Sequence, residues 1–200
     1  MSSTPNKPSP SKNQHLFWIE MVKTIGLSVL FAFGIRTFVA QAFNVLSGSM
    51  EPTLQIDDRF IVDKMVYQFK KPQRFDIVVF SPTEELKKEQ YNDAFIKRVV
   101  ALPGEKVEIR KGKLYINNQL LREDKYLTPQ QQTSINVCKA GQASFLAKPV
   151  TIPPNSYLVL GDNRQNSYDG RCWGVVPQEN IIGRAVLRFW PLNNFGGFDN

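Results

Sequence analysis

Histidine and cysteine are nearly absent from this chain. Its single histidine, His15, lies ahead of an apolar N-terminal segment, so a nucleophile in the rest of the chain has no histidine base. The only cysteines are Cys138 and Cys172, and no Cys-x-x-Cys or His-x-x-x-His spacing occurs. That argues against zinc, and no metal or cofactor is expected. The pair fits one disulfide in an oxidising compartment, and two buried thiols equally well. Charge of one sign is not concentrated either. The net charge is +7, yet Lys70-Lys71 and Lys87-Lys88 are the only adjacent lysine pairs, and no basic helix appears. Nucleic acid is therefore not an expected partner.

What is present suffices for one well-packed domain or two small ones beside an anchor: 200 residues, 42% hydrophobic and 22% charged. Residues 1–15 are rich in Ser, Pro, Asn and Lys and read as a disordered tail, carrying Lys7 and Lys12 and no acid. Residues 16–36 read as a membrane anchor, because the apolar stretch from Leu16 to Ile35 spans roughly 30 Å as a helix, one hydrocarbon thickness. Glu20 and Lys23 share a helix face, while Trp18 and Arg36 suit the two interfaces. The basic tail predicts a cytoplasmic N-terminus and a body on the outer face. Two other readings stay open for this segment. A buried soluble helix has a similar composition, and Ala40-Gln41-Ala42 is placed as a signal-peptide cleavage site would be.

Beyond the anchor the pattern changes to short β-rich runs. Residues 60–62, 76–80, 107–109, 114–116, 157–160 and 185–189 are apolar or alternating and bounded by Pro, Gly, Lys and Asp. Many short strands without intervening helical periodicity predict a mostly β, antiparallel, partly closed core. Arg110-Lys111-Gly112-Lys113 reads as a hairpin turn, and Thr128 to Lys148 as part of an insertion standing off the core. The expected organisation is a core from residues 37–105 and 151–200, with an inserted β-rich cap over 106–150.

The candidate chemistry is a serine and a lysine. Ser49 sits in Ser47-Gly48-Ser49-Met50, just past the anchor, and Lys97 lies in Phe95-Ile96-Lys97-Arg98. Without histidine, Ser49 needs another base, and a lysine buried until its amine is neutral can supply one. Each fragment alone has an ordinary explanation: a turn with capping serines, a strand with a snorkelling lysine, and a tight Asx turn at Gly161-Asp162-Asn163-Arg164.

Taken in order, four blocks resemble the boxes of bacterial type I signal peptidases in their single-anchor form. They are Ser47 to Leu54, Arg74 to Phe80, Phe95 to Glu105, and Gly161 to Arg171. The resemblance implies a serine endopeptidase that removes signal peptides from exported preproteins at the outer face of a bacterial cytoplasmic or thylakoid-type membrane. It makes Ser49 the nucleophile and Lys97 the general base, with an oxyanion hole from the Ser49 N–H and the Ser47 hydroxyl. Ser167 matches a serine that hydrogen-bonds and orients the base. Asp162 and Asp169 match structural acids paired with Arg98 and Arg171. Phe43, Val45, Leu54, Phe95 and Ile96 match positions lining shallow substrate pockets. The implied partners are signal peptides and membrane lipid.

Four positions depart from the family pattern: Leu46 stands for a usual proline, Phe75 and Ala101 for glycines, and Gly170 for a serine. None removes a proposed chemical group. Two alternatives remain in view, a catalytically silent, membrane-tethered peptide-binding module and a repressor-type self-cleaving serine-lysine peptidase. Intact Ser47, Ser49, Lys97 and Ser167 speak against the first. The anchor, with no DNA-binding segment, speaks against the second.

Overall fold

The structure, a computed structural model, describes residues 12–34, 36, 39–128 and 130–198. Helix α1 (Lys12–Gly34) begins inside the segment expected as a tail, so Lys12 to His15 belong to the helix; the rest of that tail lies outside the described residues. No proline interrupts α1, and leucine, phenylalanine and isoleucine side chains are exposed along its length. Such a helix requires an apolar surrounding, and its 19-residue stretch Leu16–Gly34 is long and apolar enough to cross a membrane. Glu20 and Lys23 pair at 3.5 Å, one helical turn apart.

The second compact unit begins at Ala40. It is predominantly β, as the sequence predicts, with every strand pairing antiparallel. The strands in chain order are β1 (Ala40–Asn44), β2 (Arg59–Asp63), β3 (Ile77–Phe80), β4 (Phe95–Ala101), β5 (Lys106–Arg110) and β6 (Lys113–Ile116). They continue as β7 (Gln119–Leu120), β8 (Val150–Thr151), β9 (Ser156–Leu160), β10 (Val176–Pro177), β11 (Ile181–Trp190) and β12 (Gly196–Gly197). The large sheet runs β1-β2-β11-β3-β4-β9-β10, with β12 added to β11. It forms a half-barrel, and bulges in β11 against both β2 and β3 bend it. A smaller sheet, β7-β6-β5-β8, is built from residues 106–151. Its β5-β6 turn places Lys111 at φ 48° and Gly112 at φ 75°, the doubly positive geometry of a tight hairpin.

A register shift between Val99 and Ala101 sends neighbouring residues of β4 into different cores. Val99 packs with Val78, Phe80, Leu86 and Trp173, whereas Val100 and Ala101 pack with Leu114, Ile116 and Leu158. A third core gathers Val45, Met50, Leu54, Phe60, Val62, Ile77, Val79 and Ala185. Cys138 and Cys172 are disulfide-bonded, which resolves the alternative between a bridge and two thiols.

The segment from Thr128 to Lys148 corrects one expectation. It does not stand off the core but is laced to the last sequence block. The Phe145 N–H and the Ser144 hydroxyl both donate to the Arg171 carbonyl, and Arg171 Nη1 reaches the Ser134 carbonyl at 3.0 Å. Absence of periodicity marked irregular backbone. It carried no information about what that backbone touches, because an irregular segment meets its hydrogen-bond requirement with side chains and loops elsewhere in the chain.

Candidate active site

Ser49 sits on a single 3-10 turn, Gly48–Met50, entered from Ser47 in extended conformation. Met50 and Leu54 are fully buried and pin the turn from below. From the other side Asn163 donates its backbone N–H to the Ser49 carbonyl at 3.1 Å and its Nδ2 to the Gly48 carbonyl at 2.9 Å. Gly161 backs the same turn. A Cβ at that position would fall 2.4 Å from the Ser49 carbonyl oxygen and 2.2 Å from Ser167 Oγ, so only glycine fits.

Lys97 lies in β4 opposite Val78, in the middle of the half-barrel. Its side chain crosses to the turn, where Nζ donates to Ser49 Oγ at 2.7 Å and to the Ile96 carbonyl at 2.9 Å. Lys97 is 3% exposed and Ser49 8%. Burial pulls the Lys97 ammonium down from 10.5 to about 8; Asp169 and Asp162 push it back up, and Arg171 opposes them. Among the described residues no His, Cys, Asp and Glu side chains group to hold a metal ion.

Buried ion pairs frame the Ser49-Lys97 contact. Arg98 engages Asp162 bidentately, Nε to Oδ1 at 2.9 Å and Nη2 to Oδ2 at 2.7 Å. Arg171 grips Asp169 through Nε and Nη2, both at 2.8 Å. Burial alone would raise the Asp169 carboxyl, but the Arg171 guanidinium and the N–H of Gly161 hold it below its ordinary value. Asp169 also caps the short helix α4 (Gly170–Trp173), which α2 (Val66–Phe69) and α3 (Glu84–Lys88) precede in the chain.

Other candidate positions stand differently from the expectation. The Ser167 hydroxyl is buried and makes no hydrogen bond, while Lys97 Nζ donates to Ser49 Oγ and to the Ile96 carbonyl. Ser47 is exposed and its hydroxyl donates to Ser49 Oγ at 3.3 Å. Val45 and Leu54, 1% and 0% exposed, belong to the core behind the turn and offer no surface to a ligand. Phe43, Phe95 and Ile96 are half-buried and do present surface. Phe75 adopts φ 75°, a region that favours glycine, and its ring packs edge-on to Tyr126 at 5.8 Å between centroids. Phe75 and Tyr126, with Thr53, Arg98 and Arg188, line a cavity of about 850 Å³ that neither Ser49 nor Lys97 reaches.

Three neighbours of the site were not singled out from the sequence. Asn163 and Gly161 lie inside a recognised block, so their position flagged them even though their contacts were not legible. Glu123 carried no signal at all. It sits in the charged run Arg122-Glu123-Asp124-Lys125, yet its carboxylate is 9% exposed and receives both terminal nitrogens of Arg164, whose side chain is fully buried.

The sequence profile described as "Signal peptidase, peptidase S26" matches residues 18–190. A probable signal peptidase I-2 of Synechocystis is 45% identical over 190 residues, 95% of this chain and 80% of that protein. A signal peptidase I of Leptolyngbya laminosa is 51% identical over 180 residues, covering 89% of this chain and 82% of that one. A solved signal peptidase I from Enterococcus faecalis is 34% identical, covering 57% of this chain and 97% of that one, with a TM-score of 0.43. With the profile spanning most of its length and such relatives matched nearly end to end, the chain belongs to the signal peptidase family, peptidase S26.

Proposed function

We propose that this chain is a membrane-anchored serine endopeptidase that cleaves signal peptides from exported preproteins with a Ser49-Lys97 dyad. The observation that carries the reading is the 2.7 Å contact between Lys97 Nζ and Ser49 Oγ inside a buried site. With its pKa drawn to about 8, roughly a tenth of Lys97 is neutral at pH 7 and most of it at pH 9. The neutral amine takes the hydroxyl proton as Ser49 attacks the scissile carbonyl, and the resulting ammonium then protonates the leaving amine. In the second half-reaction Lys97 takes a proton from water, and the hydroxide formed releases the acyl group from Ser49.

Charge on the carbonyl oxygen is met by the Ser49 N–H and by the Ser47 hydroxyl, which turns from Ser49 Oγ to the oxyanion when substrate arrives. Ser167, with an unused buried hydroxyl, steadies the amine once Ser49 Oγ is acylated and no longer available to it. The Asp162-Arg98 and Asp169-Arg171 pairs hold the blocks in register. Phe43, Phe95 and Ile96 line the cleft for an extended substrate, which lies along β1 as an added strand. The helix anchors the enzyme with its N-terminus cytoplasmic and its body on the outer face, and residues 106–150 form an insertion whose stretch from Thr128 to Lys148 packs on the last sequence block.

Incubation of the detergent-solubilised protein with a preprotein tests this directly. Wild type is expected to release one fragment with a unique new N-terminus, while Ser49→Ala and Lys97→Ala each lose at least about 10³-fold in rate. A folded Lys97→Ala protein with near-normal turnover would overturn the mechanism.

A further inference from the structure

Glu123, in the irregular stretch that follows β7, contributes a carboxylate whose contacts lead, by two routes, to the turn that carries Ser49. Glu123 Oε1 accepts from Arg164 Nη2 at 2.5 Å and from the Tyr126 hydroxyl at 2.7 Å, and Oε2 accepts from Arg164 Nη1 at 3.1 Å.

The first route runs through Arg164. Its guanidinium is completed by Thr133 Oγ1 at 2.6 Å and by the Gly161 carbonyl, which accepts from Nε at 3.0 Å. Gly161 backs the Ser49 turn so closely that a Cβ there would fall 2.4 Å from the Ser49 carbonyl oxygen, so a shift of Gly161 towards the turn displaces it. The second route runs through Tyr126, whose ring lies 4.1 Å from the Arg98 guanidinium carbon. Arg98 clamps Asp162, and the next residue, Asn163, holds the carbonyls of Gly48 and Ser49.

We infer that Glu123 is a positioning residue for catalysis: its carboxylate locks Arg164 and Tyr126, and through Gly161 and Asp162-Asn163 it fixes the backbone from which Ser49 and its N–H point. The inference rests on the Ser49-Lys97 reading. Two physical features support it. A fully buried guanidinium is tolerable only while its partner is in place, so Arg164 keeps its present position only when Glu123 is docked. Ser49 and its oxyanion-donating N–H belong to one short turn, so a small displacement of Gly161 moves both at once. Substrate-facing surface at Phe43, Phe95 and Ile96 is not part of either route. Loss of Glu123 therefore acts on kcat and leaves KM alone.

The test is steady-state peptide cleavage by the full-length protein in detergent, at a temperature well below its melting point. Glu123→Gln keeps the shape of the side chain but not the charge, and a fall in kcat of about 10-fold or more with KM within twofold is expected. Tyr126→Phe cuts only the second route at its hydroxyl, and kcat is expected to fall by about threefold. Leu114→Ala serves as the control for stability alone. It opens a cavity in the core of the smaller sheet, lowers the melting temperature, and is expected to leave kcat unchanged. If Glu123→Gln does not fold, Glu123→Asp replaces it, keeping the charge but drawing the carboxylate back by one methylene, with the same selective loss in kcat expected. Wild-type kcat in the folded Glu123 variant, or a loss confined to KM, would overturn the inference. Retained cleavage by Ser49→Ala in the same assay would instead overturn the reading beneath it.

Discussion

Lys97 is the residue at which stability and function pull against each other. Its folded-state pKa lies near 8 against 10.5 for the free group, chiefly because burial disfavours the ammonium. The sign follows from proton binding. Between those two values the unfolded chain holds more protons than the folded one, so stability rises with pH across that window, and the whole penalty is felt below it. Lys97→Met should therefore stabilise the fold by about 3 kcal/mol at pH 7, with the gain shrinking as pH climbs from 8 towards 10.5. Urea titrations of both proteins at several pH values measure it; a Lys97→Met protein less stable than wild type at pH 7 would contradict the buried-base description. The candidate pair Ser49 and Lys97 was legible in the sequence for a negative reason, since one histidine ahead of the apolar segment left lysine as the candidate base. Glu123 was not legible because its partner lies 41 residues away and its neighbours are charged. Leu54 misled for the opposite reason: a position beside a site reads the same in sequence whether its side chain faces the cleft or the core.

At the scale of elements, the sequence revealed strands wherever alternation or β-branched runs were long enough, as at 107–109 and 114–116 with their Lys111-Gly112 turn. It missed β1, whose small residues looked like a processing site, and β7, β8, β10 and β12, which at two residues each carry no periodicity. The irregular stretch between β7 and β8 was seen, but its docking on the last sequence block was not. It is tied to α4 by the Cys138-Cys172 bridge, which closes a separation of 34 residues. In a chain-entropy description, closing a loop of that length stabilises the fold by about 4 kcal/mol. Cys138→Ser and Cys172→Ser should each lose an amount of that order, together with the docking of Ser144 and Phe145 on Arg171. Denaturant midpoints with and without reductant check this: the wild type should fall to the level of the variants on reduction, and a reductant-insensitive wild type would contradict the bridge's contribution.

At the scale of the molecule, one apolar helix precedes a β-rich body that contains the candidate dyad. Lys7 and Lys12 ahead of the apolar stretch Leu16–Gly34, with no acid among them, favour a cytoplasmic tail. Protease added to right-side-out vesicles is expected to digest the body and spare the N-terminus, and the reverse pattern would reject that orientation. The half-barrel buries Lys97 beside Ser49, and the proposed mechanism depends on that removal of the amine from water. The pH dependence of kcat/KM on a single peptide substrate tests that most directly, because it reports the ionisation of the free enzyme. We expect activity to rise with a slope of one and a midpoint near pH 8. A midpoint at the ordinary lysine value of 10.5, or a rate flat from pH 6 to 10, would contradict the account.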